Sequence, residues 1–404
     1  MTVESAATVD PPVMDVDFYS PEMAADPWPT VKRIREAGPI VWNERGFWMS
    51  ARDRVCRQVL NRPGILGQKP IISSIFGEES FVAIDDKARH NELRNVWAVA
   101  FRRDTLNALR PLVRQLTSDM LDPVIERLND GETVDMVPAL CRHLPAYVIG
   151  HMMGVSNDDL PDVVRWSDLM AEASTGDFQG DFQSNERWLA SEQAKLDLAD
   201  FLRGQIDYRR RHPGDDLISQ IVHSDVATTL SDEAIMINTR QLLFAGNETT
   251  ANWIGQNIRV LGDRPDLRRE LEAEPALIPQ AVEEILRLDS VVQLLPRDVH
   301  AADVVIADTH LPEGTRIMML LGGANRDPER YERPDELDIR REGLASLAFG
   351  FNLHSCLGVT LARLEAAETT AVLVDRLPAY QVGAELRYSA FSMRGPAVLP
   401  ISLN

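Results

Sequence analysis

Residues 347–365 read LAFGFNLHSCLGVTLARLE. The segment holds Cys356; the chain's other two cysteines, Cys56 and Cys141, lie far away in sequence. Gly350, Asn352 and His354 precede the sulfur, and a helical period begins just after it and runs through GVTLARLEAAETTAVLVDRL. Cys356 therefore stands at a helix N-terminus, where free N–H groups and the helix dipole favour an anion. A lone cysteine is ordinarily a small buried hydrophobe. In this setting a thiolate is the sharper reading, either as a nucleophile or as a metal ligand.

The two uses make different demands. A nucleophilic thiolate wants a histidine as base, and His354, two residues away on the same loop, is badly placed to converge on it. Zinc needs three or four clustered ligands, and only Cys356 and His354 are near. A metal already held by a macrocycle needs one protein ligand, and haem meets that condition.

The rest of the chain narrows the function further. With 62 Asp+Glu against 42 Lys+Arg, the net charge is −20, the wrong sign for gripping nucleic acid through its phosphates. No apolar run approaches the roughly 20 residues that span a bilayer, and MTVESAATVDPPVMD at the start has neither the basic nor the apolar part of a secretory signal. Scattered cysteines in odd number fit a reducing compartment, and we expect a cytoplasmic protein. Residues 1–20 read as a flexible arm and 21–404 as a single domain. PIVWNERGFWMSA reads as a hairpin turning at Asn43–Gly46. From 103 to about 290 the period is helical, interrupted at Pro111 and Pro123, with STGDFQGDFQSNER (174–187) as a mobile loop. A long helix is expected over 231–263, capped by Ser231 and free of proline until Pro265. After 300, short strands take over. The expected fold class is mainly α with minor β.

FGFNLHSCLG (349–358) resembles the haem-binding loop of the cytochrome P450 family, Phe-Gly-x-Gly-x-His-x-Cys-x-Gly. Phe349, Gly350, His354, Cys356 and Gly358 match, and Asn352 replaces a glycine. Asn tolerates positive φ better than any residue but Gly, so the loop is expected to keep its shape at a small strain cost. Three further matches stand in the family's order. Glu284 and Arg287, at i, i+3 on one helix face, resemble its Glu-x-x-Arg pair. Ala245-Gly246-x-Glu248-Thr249-Thr250 resembles its oxygen-activation segment; Gly246 in mid-helix costs roughly 1 kcal/mol against Ala and suggests a close approach or a local opening. Asp86, His90 and Arg94 resemble an Asp-x-x-x-His-x-x-x-Arg pattern, although the prolines common there are absent. GGANRDPERYERPDELDIRRE resembles the family's Asn-Arg-Asp-Pro segment and meander.

The resemblance implies the P450 fold, with a long central helix and small sheets around a buried haem b. Cys356 would be the axial ligand, and His90, Arg94, Arg297 and His354 would be the donors to the haem propionates. Ala245 would lie against the macrocycle. Glu248 and Thr249 would deliver protons to dioxygen, and Glu284–Arg287 would lock the structure beneath the haem. One oxygen atom of O2 would enter a small, largely apolar substrate, by hydroxylation or O-dealkylation. Gln241, Phe244, Ala245, Gln293, Leu294, Ser392 and Met393 would line its pocket. The chain is nearly all spent on the catalytic domain, so a separate iron–sulfur ferredoxin with an NAD(P)H-dependent reductase would supply electrons to a monomeric enzyme. Two alternatives stay open: a peroxide-driven peroxygenase, which would lack the Glu248–Thr249 pair, and a haem sensor without catalysis, which would not need it.

Overall fold

The computed structural model describes residues 11–174 and 185–403. Its spine is the helix Asp232–Asp263. Ser231 caps it, its hydroxyl accepting from the Ala234 N–H at 2.9 Å, and Asp232 and Glu233 sit in its positive first turn. At 1.5 Å per residue it is about 48 Å long, a span that carries it through the whole protein. Helices Arg110–Asn129, His143–Met153, Glu186–Arg211, Ile278–Leu288 and Val359–Arg376 surround it. They bury a core that includes Trp97, Leu121, Trp253, Ile258 and Leu373.

Pro111 falls in the first turn of its helix, where no N–H is needed, so it ends nothing. Pro123 lies inside the same helix and does not interrupt it. The expected break there is corrected: one hydrogen bond is lost, and the buried Leu121, Val124 and Leu128 hold the helix in place by packing.

A six-stranded mixed sheet flanks the helices. Its order is Val13–Met14, Val41–Asn43, Phe47–Ser50, Arg316–Leu320, Leu294–Val299, Leu66–Gly67. The expected hairpin forms its middle: Trp42 faces Trp48, and Gly46 turns at φ 94° with its N–H on the Asn43 carbonyl. Part of the expected flexible arm packs into the fold. Val13 and Met14 pair in parallel with Trp42 and Asn43. Phe18, 3% exposed, stacks on Phe391 and Phe47. Residues 1–10, and 175–184 of the expected mobile loop, lie outside the described residues. Among the described residues no helix is long and apolar enough to cross a membrane.

Candidate active site

The loop before Val359–Arg376 is shaped by two left-handed residues. Gly350 has φ 71° and Asn352 has φ 60°. The expectation for Asn352 holds, and its side chain adds a bond from Nδ2 to the Asn61 Oδ1 at 2.8 Å. These turns let the Cys356 N–H reach the Phe349 carbonyl at 2.9 Å and the Ser355 N–H reach that of Asn352 at 3.0 Å. Phe349 is held edge-on to Trp253, at 5.8 Å, with the Arg363 guanidinium 5.2 Å from its centre.

Cys356 has accessible surface, although protein surrounds its sulfur closely enough for burial to push the thiol's pKa up. A side chain both enclosed by protein and accessible lies in a recess and not on an open face. The Gly358 N–H bonds the sulfur, and the charges of Arg94 and Arg363 pull its pKa back down. Both favour a thiolate.

The middle of the central helix shows the same signature. Ala245 is exposed and Gly246, Glu248 and Thr249 are partly so, although the flanking turns are among the most buried in the chain. Thr249 donates to the Ala245 carbonyl at 2.9 Å, the ordinary i−4 bond of a helical threonine. The helix runs unbroken through Gly246, so the local opening is not seen. No close approach is seen either, since a Cβ there would meet Ile149 at an ordinary 3.7 Å. Nothing in the protein's own packing explains that glycine.

Beside the cysteine loop lie four nitrogen-bearing side chains with few acceptors. His90 is fully buried and its Nε2 has no partner. Its ring stands edge-on to His354, centroids 4.8 Å apart, and the buried Nδ1 of His354 is also unpartnered. Burial lowers the pKa of His90 to about 4, and the His354 ring adds to the shift. Among the described residues Arg94 meets no hydrogen-bond acceptor, and burial lowers its pKa. Arg297, 2% exposed, donates only to the carbonyl of Pro296, and burial brings its pKa down to about 10. Buried donors are normally satisfied. Two buried ring nitrogens that are not, His90 Nε2 and His354 Nδ1, with the sparsely partnered guanidiniums of Arg94 and Arg297 grouped near them, call for an acidic group from outside the chain.

Glu284 and Arg287 are both fully buried and paired through two bonds of 2.7 and 2.8 Å. Arg287 also donates to the carbonyls of Asn325, Pro334 and Glu336. Sequence reasoning missed two members of this knot. Arg341 donates to the Glu284 carboxylate at 3.0 Å. Asn325 accepts the Leu347 N–H at 2.6 Å, tying the pair to the root of the cysteine loop. Both lie in or just after the meander-like segment, which was the available signal.

The expected pocket lining needs correction. Gln293 is fully buried, donates to the Ser290 carbonyl, and packs on Gly322 so tightly that a Cβ there would fall 1.9 Å from its Oε1. Leu294 is buried in the cluster with Val41, Met49 and Phe391. Their neighbours Val292 and Leu295 keep some exposed surface and pack against the cluster of Ile40, Leu66 and Ile317. Gln241 is buried and tied to the Ser80 hydroxyl. Phe244 remains half-buried, edge-on to Phe76 at 5.8 Å. Ser392 and Met393 are half-buried, with Met393 bridged to Val292.

The family model for cytochrome P450 matches residues 54–377. The chain belongs to the cytochrome P450 family. It is 30% identical to the monooxygenase PikC of Streptomyces venezuelae, over 98% of this chain and 96% of that protein. It is 34% identical to the mycinamicin IV hydroxylase/epoxidase of Micromonospora griseorubida, over 78% of each. Among solved structures, P450BioI in complex with an acyl carrier protein carrying hexadec-9Z-enoic acid superposes with a TM-score of 0.85. The identity is 26%, over 95% of this chain and 99% of that one. CYP109E1 of Bacillus megaterium, in complex with corticosterone, gives 0.83 at 29% identity, over 95% and 100%. The chain is a cytochrome P450 monooxygenase; the family binds haem b and uses dioxygen. This P450's cavity fits that cofactor: it offers a lone accessible thiol, an exposed mid-helix Ala245, and unpartnered buried donors suited to two propionates.

Proposed function

We propose that this P450 inserts one atom of O2 into a small, largely apolar molecule, by hydroxylation or O-dealkylation, with Cys356 as the haem ligand. The observation that carries the reading is the enclosed yet accessible thiol of Cys356, at a loop whose two left-handed residues free its sulfur from other bonds than the Gly358 N–H. When bound, haem b supplies the oxygen-activating iron chemistry, strengthened by an electron-donating thiolate. The chain's own residues do the rest. Phe349, Gly350 and Gly358 shape the loop around the sulfur. His90, Arg94, Arg297 and His354 hold the propionates. The Thr249 hydroxyl orients a proton at the cavity wall, and Glu248, one residue before it, feeds that hydroxyl.

The corrected lining makes the pocket more apolar than the sequence alone implies. With Gln241, Gln293 and Leu294 turned into the structure, Phe244, Ala245 and Met393 remain of the expected lining, with the Ser392 hydroxyl as the polar contact. The steroid held by CYP109E1 is a ligand of that general character.

Electrons come from a separate ferredoxin served by an NAD(P)H-dependent reductase. A cavity of about 310 Å³ beside the helix that follows Cys356 is lined by Arg103, Arg110, Arg114 and Arg363 over Ile278 and Leu364. Glu368 in the same lining pairs with Arg110 and Arg114, and Glu283 with Arg363, so four arginines against two acids leave a net positive patch on a chain of net charge −20, suited to an acidic partner. The test has two readings. Small hydrophobics should shift the haem spectrum from low to high spin, and product should form with ferredoxin, reductase and NAD(P)H. Turnover with hydrogen peroxide alone would favour a peroxygenase, and tight ligand binding with no product from any system would favour a sensor.

A further inference from the structure

Asp85 sits among the donors that the haem propionates need. Its Oδ1 lies 3.3 Å from the Nε2 of His354, and its Oδ2 accepts the Gln68 N–H at 3.2 Å. The carboxylate is wedged against Gly67, where a Cβ would fall 2.3 Å from Oδ2, with the His300 ring on the same spot at 2.7 Å. A side chain at position 67 would push Asp85 or His300 from this spot. The charge of Asp85 also favours the buried Arg297 guanidinium, which among the described residues meets no side-chain acceptor. The side chain is 17% exposed, so it is neither a free surface acid nor a sealed one.

We propose that Asp85 is a resident third carboxylate of the haem site: a positioning residue that orients His354 and Arg297 and competes with the propionates for them. The inference rests on the haem reading of the cavity. Loaded, the site would gather three carboxylates, two from haem and one from Asp85, around two guanidiniums and two histidines. Of the four donors, only the guanidiniums of Arg94 and Arg297 carry a charge that is fixed throughout the neutral range. Three anions over two fixed cations is an excess of one negative charge. That excess weakens the hold on the propionates and stabilises ferric over ferrous iron, since the oxidised centre carries one more positive charge. Asp85 immediately precedes Asp86, whose side chain caps the helix carrying His90 and Arg94 by accepting the Arg89 N–H. The same turn therefore sets both the donor helix and the competing charge.

The test uses the holoenzyme and three variants, with two readouts besides turnover. One is the rate of haem transfer to an excess of apomyoglobin; the other is the ferric/ferrous midpoint potential by dye-equilibrated titration. Asp85→Asn keeps the shape and one acceptor oxygen but removes the charge. It should lose haem roughly three- to tenfold more slowly, and its potential should rise. Asp85→Glu keeps the charge and should keep the parent's potential. Asp85→Ala removes charge and positioning together, so its potential should rise while haem loss is not slowed. The proposal is overturned if Asp85→Asn leaves both readouts at the parent values, or if it sheds haem faster. Failure of the haem-thiolate reading would look different: the parent itself would lack the red-shifted Soret band in its reduced, CO-bound form.

Discussion

Asn352 offers the cleanest test of how the cysteine loop is built. At φ 60° it lies in the left-handed region, which costs an ordinary side chain roughly 1–2 kcal/mol. Asn reduces that cost, and its exposed bond to Asn61 returns about 0.5–1 kcal/mol. Asn352→Gly removes the strain and the bond together and adds unfolded-state freedom, so it should fall within about 1 kcal/mol of the parent. Asn352→Ala keeps the strain and loses the bond, for a loss of roughly 1–2 kcal/mol. Asn352→Val adds a β-branch that the left-handed region rejects and should lose about 2–3 kcal/mol. The assay is denaturant unfolding of the holoenzyme, followed both by the Soret band and by far-ultraviolet circular dichroism. The order Asn ≈ Gly > Ala > Val is expected, with the Soret band of Asn352→Val lost ahead of the helical signal because the strain sits at the haem loop. Equal tolerance of Gly and Val would refute the reasoning, because it would mean that the loop relaxes to an ordinary backbone at no cost.

Four further outcomes are expected. Cys356→Ser should abolish the strongly red-shifted reduced CO band; its persistence would exclude Cys356 as the ligand. Glu284→Ala should give little soluble holoprotein, since unpairing a buried ion pair costs on the order of 3–5 kcal/mol and here strands both Arg287 and Arg341; normal yield with full haem would sink that role. Thr249→Ala should still consume NAD(P)H but spend many of its electrons on reducing dioxygen to hydrogen peroxide, with substrate binding barely changed, whereas unchanged coupling to product would take the proton path away from this hydroxyl. Glu365, buried on the helix after Cys356, has its pKa raised well above the usual carboxylate value by desolvation. The folded chain therefore keeps a proton that the unfolded chain releases, so stability falls as pH rises above about 4.5. Glu365→Gln should gain more in Tm at pH 8 than at pH 5, and equal gains at both would contradict a protonated Glu365.

What could be read from the sequence was whatever depended on neighbours in the chain. The central helix announced itself because Ser231 caps it and no proline interrupts it. The left-handed Asn352 was legible because only a glycine-like residue fits that place in the loop. Pairings across the fold were not legible. Val13–Met14 joins the sheet in parallel with Val41–Asn43, and nothing local in DPPVMD specifies a partner about thirty residues away. The side on which Gln293 and Leu294 point is set by the strand Arg316–Leu320 and by the room that Gly322 leaves for the amide, both remote in sequence. Pro123 reads as a breaker by propensity alone, and tertiary packing overrides it. Asp85 had a visible signal, an acid beside the acid that caps the helix, but its meaning depends on its meeting with His354, 269 positions away.

The unpartnered donors also bear on how this P450 holds together. A buried polar group without a partner costs roughly 1–3 kcal/mol. The structure leaves His90 Nε2 and His354 Nδ1 in that condition, with the half-buried Arg94 guanidinium short of acceptors beside them. The protein without haem therefore carries a concentrated penalty in one place, between the helix Lys87–Ala98 and the cysteine loop. Bound haem would relieve it by bringing acceptors for the donors and a metal for the thiol. Anything that binds only the folded state stabilises it in proportion to its affinity, so stability lost on removing haem should be local before it is global. The region to open first is the segment from Asp85 to Arg94 together with residues 350–356. The knot of Glu284, Arg287, Asn325 and Arg341, satisfied entirely by the chain's own groups, should hold. Amide exchange with and without haem would show it: protection should fall at His90 and Cys356 while persisting through Ile278–Leu288, and uniform loss across both would mean that the fold has no such division.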